Sequence, residues 1–144
     1  MKNPYKNKFE IAVRTIIEYK GKILLCKIKK SDCYFFPGGH LEYGERIDKA
    51  LAREIKEELN TKVEKFSFIG VVDNIFTGDG DKHHEINFVF KTKIKKVYTL
   101  SQENHIDFVL IDKKEFSKQK IFPIALKKQL LKWFKDKKTF WVSQ

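Results

Sequence analysis

Only two cysteines, Cys26 and Cys33, occur among the 144 residues. A disulfide framework is therefore not expected, and a reducing cytoplasm is the expected compartment. Two thiols without histidines near them also fall short of a structural zinc site. Proline (three) and glycine (seven) are sparse. No low-complexity tract, internal repeat or linker interrupts the chain. No apolar run approaches the roughly 20 residues that span a bilayer, so no membrane partner is expected. The stretch 1–10 is polar and charged, without the apolar segment of a secretory leader. What is present suits one domain over residues 1–144, built around one core. Hydrophobic residues make up 42% and charged residues 34%, and thirteen phenylalanines supply bulky apolar side chains.

The net charge is +11. Such an excess suits anionic partners: phosphates, nucleic acid or acidic surfaces. The lysines are scattered over residues 27–30, 91–96 and 127–138, so no single block reads as a basic arm. A solvated lysine-rich surface explains them equally well.

Periodicity predicts strands over 11–19 and 22–30, joined by a turn at Lys20-Gly21. Residues 33–40 read as a loop carrying Pro37-Gly38-Gly39. A helix is expected over 46–60, where Ile47, Leu51, Ile55 and Leu59 recur every fourth position and Asn60 suits the C-cap. Strands follow over 66–75, 85–96 and 106–111, with a glycine- and aspartate-rich turn at 77–82. A short helical turn at 113–118 and a second helix at 123–137 complete the order. An α/β fold with a mixed sheet and helices packed on it is expected.

The chemistry concentrates in residues 39–58, GHLEYGERIDKALAREIKEE. A helix turns about 100° per residue, so Glu54, Glu57 and Glu58 project from one side within about a turn. Three carboxylates so close repel one another unless a cation sits among them. Clustered hard oxygen ligands suit Mg²⁺ or Mn²⁺ rather than zinc. The fragment REIKEEL alone is an ordinary solvated helix face. The preceding glycines change that reading, because a residue without Cβ lets backbone approach a ligand closely.

The segment resembles the Nudix box, G-x5-E-x7-R-E-U-x-E-E-x-G-U with U aliphatic, over residues 39–61. Gly39, Glu45, Arg53, Glu54, Ile55, Glu57 and Glu58 match at the right spacing. Asn60 replaces the usual glycine and Thr61 the usual aliphatic residue, a departure touching the helix end rather than the carboxylates. The resemblance implies a Nudix-type α/β/α sandwich and an enzyme that cleaves a diphosphate linkage in a nucleoside diphosphate derivative or triphosphate. It implies that Glu54, Glu57, Glu58 and the Gly39 carbonyl hold Mg²⁺, with Mn²⁺ as the alternative. A carboxylate then accepts the proton of the attacking water: Glu54 or Glu57, or a downstream glutamate, for which Glu103 is the candidate and Asp107 a weaker one. Arg53 is expected to orient a box carboxylate such as Glu45. Glu45 and His84 are the candidate substrate-binding residues.

Two rival readings use the same segment. One is an RNA 5′-end pyrophosphohydrolase, supported by the positive charge but by no RNA-binding motif, so nucleic acid is the less favoured partner. The other is a non-catalytic nucleotide-binding module, against which the retained box glutamates argue. The markers that suggest ADP-ribose or dinucleoside polyphosphates, a proline or a tyrosine shortly after the box, are absent from residues 75–78. Monomer and homodimer both remain open.

Overall fold

The computed structural model describes residues 8–97 and 105–144. Among the described residues, ten strands and three helices follow in order: β1 (Phe9–Ile16), β2 (Glu18–Tyr19), β3 (Lys22–Ile28), β4 (Tyr34–Phe35), β5 (Gly38–His40), α1 (Ile47–Leu59), β6 (Val63–Gly78), β7 (Asp81–Ile94), β8 (Ile106–Asp112), α2 (Lys113–Phe116), β9 (Ile121–Phe122), α3 (Ile124–Asp136) and β10 (Phe140–Ser143).

The strands form two mixed sheets, which fits the expected α/β fold with mixed strand pairing. The first has the order β10-β6-β7-β1-β5, with β1 parallel to β7 and antiparallel to β5. The second runs β2-β3-β4-β9, with β8 antiparallel to β3 on its other edge. Strand β1 lies inside the first sheet, between β7 and β5, and its residues 12, 13, 15 and 16 are all buried, as a strand covered on both faces requires. The β6–β7 hairpin closes through Asp79-Gly80, both at positive φ, as a two-residue turn between twisted strands demands.

Two apolar clusters lie on opposite sides of the first sheet. Ile16, Val72 and Val89 meet Leu126, Leu130 and Trp133 of α3. Val13, Ile17 and Phe90 meet Leu51, Ile55 and Leu59 of α1. Helix, sheet and helix therefore stack as layers. Phe140 is buried, whereas Trp141, its neighbour on β10, is exposed.

The end of α1 accommodates the two departures from the box. Asn60 takes the left-handed conformation (φ 49°) and its N–H bonds to Lys56 O. Thr61 is buried, but its Oγ1 accepts the Lys96 N–H at 3.2 Å, so the hydroxyl is satisfied in place of an aliphatic contact.

Candidate functional site

Strand β5 brings the glycine pair against α1. A Cβ on Gly39 would lie 2.3 Å from Glu54 Oε1 and 2.5 Å from Oε2, so only glycine leaves this carboxylate its place. The Gly38 N–H donates to Glu58 Oε2 at 3.2 Å. Glu54 and Glu58 thus press against β5, whereas the Glu57 side chain is 55% exposed.

Arg53 organises the cluster. Its Nε and Nη2 donate to Glu45 Oε1 and Oε2 at 2.8 and 2.9 Å, a bidentate fork. Its Nη1 reaches Glu54 Oε1 at 2.8 Å and Glu57 Oε2 at 3.3 Å, and Nη2 also donates to the His40 carbonyl at 3.0 Å. One guanidinium therefore ties three carboxylates to the end of β5. Arg53 lowers the Glu45 carboxyl to about 2, helped by the Glu42 N–H. Burial pushes the Glu54 carboxyl above its ordinary value, against the pull of Arg53.

The remaining candidates fall elsewhere. Glu103 lies outside the described residues. Asp107 sits on β8, half exposed, beside Lys29 Nζ at 3.9 Å. His84 bonds Asp73 Oδ1 at 2.6 Å and packs against the Phe9 ring. It lies on the face of β7 opposite to Glu85, since neighbouring strand residues point apart. His83 instead bonds Glu10 Oε1 at 2.8 Å, so the adjacent histidines contact different carboxylates.

Several residues near the box went unrecognised in the sequence. Glu85 is buried, with His40 Nε2 3.2 Å from its Oε1 and Arg14 Nη2 at 4.0 Å. Glu10, His40 and Glu85 bring ligand atoms within 4.8 Å of one another. Arg14 Nε donates to the buried Asn87 Oδ1 at 3.2 Å. These contacts depend on β1 lying parallel to β7, which pairs Glu10 with Glu85 and Ala12 with Asn87. The strand pattern of residues 10–14 alone carried no signal for that partner.

Of two neighbouring cavities, only the smaller is lined by a box residue, Glu58. The larger, about 390 Å³, is walled by Phe35, Phe76 and Phe122, with Asn74, Glu85 and Arg14 among its polar groups. The smaller, about 190 Å³, contains Gly38 and Glu58 and shares Arg14, Phe35 and Phe36 with the larger one. The aromatic chamber thus neighbours the cavity that holds Glu58, with Arg14 lining both, an arrangement suited to a flat ring joined to an anionic group.

A family model of the NUDIX domain matches residues 8–140. An ADP-ribose pyrophosphatase of Methanocaldococcus jannaschii is 40% identical over 84 residues, 56% of this chain and 48% of that protein, so the match spans about half of that relative. A proposed 8-oxo-dGTP diphosphatase of Bacillus subtilis, YtkD, is 32% identical over 129 residues, 81% of this chain and 78% of that protein. Among solved structures, a MutT protein of Methanosarcina mazei superposes with a TM-score of 0.73 at 20% identity, covering 90% of this chain and 96% of that one. The mutator MutT protein of Bacillus halodurans gives 0.77 at 18% identity, covering 92% and 86%. At these identities the two structures speak for the fold alone.

Proposed function

The chain belongs to the Nudix family, and from that premise we propose that it is a metal-dependent hydrolase of the diphosphate linkage in small nucleotide derivatives. The observation that carries this reading is Gly39 lying against Glu54, with Glu58 on the neighbouring Gly38 N–H. Such a cradle serves no packing purpose, since a Cβ there would displace a carboxylate rather than fill apolar space.

The donors fit a hard divalent cation: Glu54, Glu57, Glu58 and the Gly39 carbonyl would hold Mg²⁺, or Mn²⁺ in its place. When bound, that cation neutralises charge on the diphosphate oxygens. Arg53 fixes the carboxylates that face it, at the cost of no reorganisation during the reaction. Glu54, its carboxyl raised by burial, accepts the proton of the attacking water at Oε2, the oxygen opposite its 2.8 Å bond to Arg53. Arg14 steadies the phosphates between the two cavities it lines. The nucleoside end occupies the aromatic chamber. The names of relatives, a pyrophosphatase and a diphosphatase, support the same reaction class.

The test is release of phosphate or pyrophosphate from nucleoside triphosphates, nucleotide sugars, dinucleoside polyphosphates and 5′-triphosphate RNA, with Mg²⁺ or with EDTA. Turnover of a small nucleotide that EDTA abolishes is expected. Turnover confined to RNA would assign the site to 5′-end processing. No turnover by a folded, Mg²⁺-binding protein would leave a binding module.

A further inference from the structure

Helix α1 covers Val13, Ile17 and Phe90 on one face of the first sheet. Towards β6 and β10 that face stays exposed, and it is apolar. Trp141 of β10 stands beside Val71 of β6, which stands beside Phe88 of β7. Four residues further along β6, Ile75 neighbours His84 of β7, and His84 neighbours Phe9 of β1. In the other direction Phe66 and Phe68 each set a ring edge-on to Phe90. A sheet face open to water usually carries polar residues in these alternate positions. Here Phe9 is 67% exposed, Phe66 49%, Phe68 46% and Trp141 76%. With Ile75 and the partly buried residues between them, they leave about 700 Å² of surface open, taking roughly 200 Å² for a whole aromatic residue. The largest apolar patch on an ordinary monomer is about 300–600 Å². A stable complex of standard size buries about 800 Å² on each partner.

Charge says what covers this field. The chain carries 30 lysines and arginines, yet among the described residues none holds a strand position inside it. Lys91 and Lys93 of β7 point to the opposite face by strand alternation. Lys8 and Lys82 border only the Phe9 end, as polar residues rim an interface whose centre is aromatic and poor in lysine. The polar groups within the field satisfy one another. His84 Nε2 bonds Asp73 Oδ1 at 2.6 Å, and Ser143 Oγ donates to Asp73 Oδ2 at 3.2 Å. Groups paired in this way lose water at little cost. We propose that this face is a homodimer interface, laid against the same face of a second copy of the chain about a two-fold axis. A two-fold contact is self-complementary, so ring meets ring and no cation is set against its own image. With a net charge of +11, two copies repel over most of their surface. In this field they meet without opposing lysines. An acidic protein, the other partner that a basic chain attracts, would find no cations here to pair with.

Sedimentation equilibrium of the full chain tests this from about 1 to about 100 µM, the weak end of the range for interfaces of this size. A mass twice the 17.1 kDa of one chain is expected. Trp141→Glu and Phe9→Glu each put a charge into the field from opposite ends, and each should weaken association about 30-fold or more, the size of a hot-spot loss. Ile124→Glu alters an exposed apolar residue of α3, across the sheet, and should leave the dimer intact. Wild type supplies a check that needs no variant. Of the two tryptophans, Trp133 is buried and Trp141 exposed, so acrylamide quenching of their emission reads Trp141. Quenching should fall as the dimer forms. A dimer whose quenching does not change on association overturns the assignment. So does one that Ile124→Glu alone dissociates, or one that the folded Trp141→Glu and Phe9→Glu variants hold as tightly as wild type. A monomer throughout the range overturns it too: with Trp141 shielded, the face would belong to another segment of this chain, and with Trp141 open, to a different protein.

Discussion

Gly39→Ala is the sharpest local perturbation the fold permits. The added methyl would start 2.3 Å from the Cδ and Oε1 of Glu54, far inside van der Waals contact. Glu54 must move even though Arg53 holds its Oε1 at 2.8 Å and only 13% of its side chain is exposed. The carboxylate is the end of a flexible side chain, so it swings away rather than forcing β5 from β1. Overpacking of this kind costs about 1–3 kcal/mol, a modest loss for the fold. The site suffers more. Displacing a reacting group by about 1 Å lowers rates about 10²-fold. The assay pairs urea unfolding with Mg²⁺-dependent nucleotide hydrolysis. A small shift in midpoint with a fall of about two orders of magnitude in kcat is expected. Wild-type turnover in a stably folded Gly39→Ala would refute the account of the cradle.

Three further outcomes follow from the same contacts. Arg53→Lys replaces the planar fork that grips Glu45 at 2.8 and 2.9 Å, so kcat should fall about 10- to 100-fold, as for other groups that orient ligands. An unchanged rate would mean that the fork is ornamental. The Glu45 carboxyl lies at about 2 when folded, against 4.5 ordinarily. Its pairing therefore stabilises fully above about pH 4.5 and fades as pH falls towards 2. Glu45→Gln should narrow the difference in urea midpoint between pH 6 and pH 3, and an identical difference would count against the pairing. Leu51 is fully buried between α1 and the first sheet. Leu51→Ala should cost about 2–5 kcal/mol in urea unfolding, and a loss below 1 kcal/mol would show that this cluster is loosely packed.

The box was legible because its information is local. Helix periodicity fixes which side Glu54, Glu57 and Glu58 share, and glycine declares a close approach before any partner is known. Helix α1 begins and ends within a residue of the span that Ile47, Leu51, Ile55 and Leu59 suggest. The mixed α/β class was legible, but how the strands divide between two sheets was not. It depends on two- to four-residue strands such as Tyr34–Phe35, Ile121–Phe122 and Phe140–Ser143, whose pairing is decided by remote partners. The same limit hid Glu85 and Arg14. His84 was the candidate named on this strand, yet the alternation that points it away from its neighbours turns Glu85 towards the cavity. Only the β6–β7 register shows it facing Asn74. Residue 103, the downstream glutamate named from sequence, lies outside the described residues, so its place at the site rests on the resemblance.

The central claim is that the box carboxylates carry out metal-dependent cleavage of a diphosphate. Glu57 tests it most cleanly, since its side chain is 55% exposed and contributes little to the core. The decisive measurement is kcat of wild type and Glu57→Gln on the best nucleotide substrate with saturating Mg²⁺, alongside their urea midpoints. The account predicts matching midpoints and a loss of about 10²–10⁴-fold in kcat. Equal turnover by a folded Glu57→Gln would contradict it.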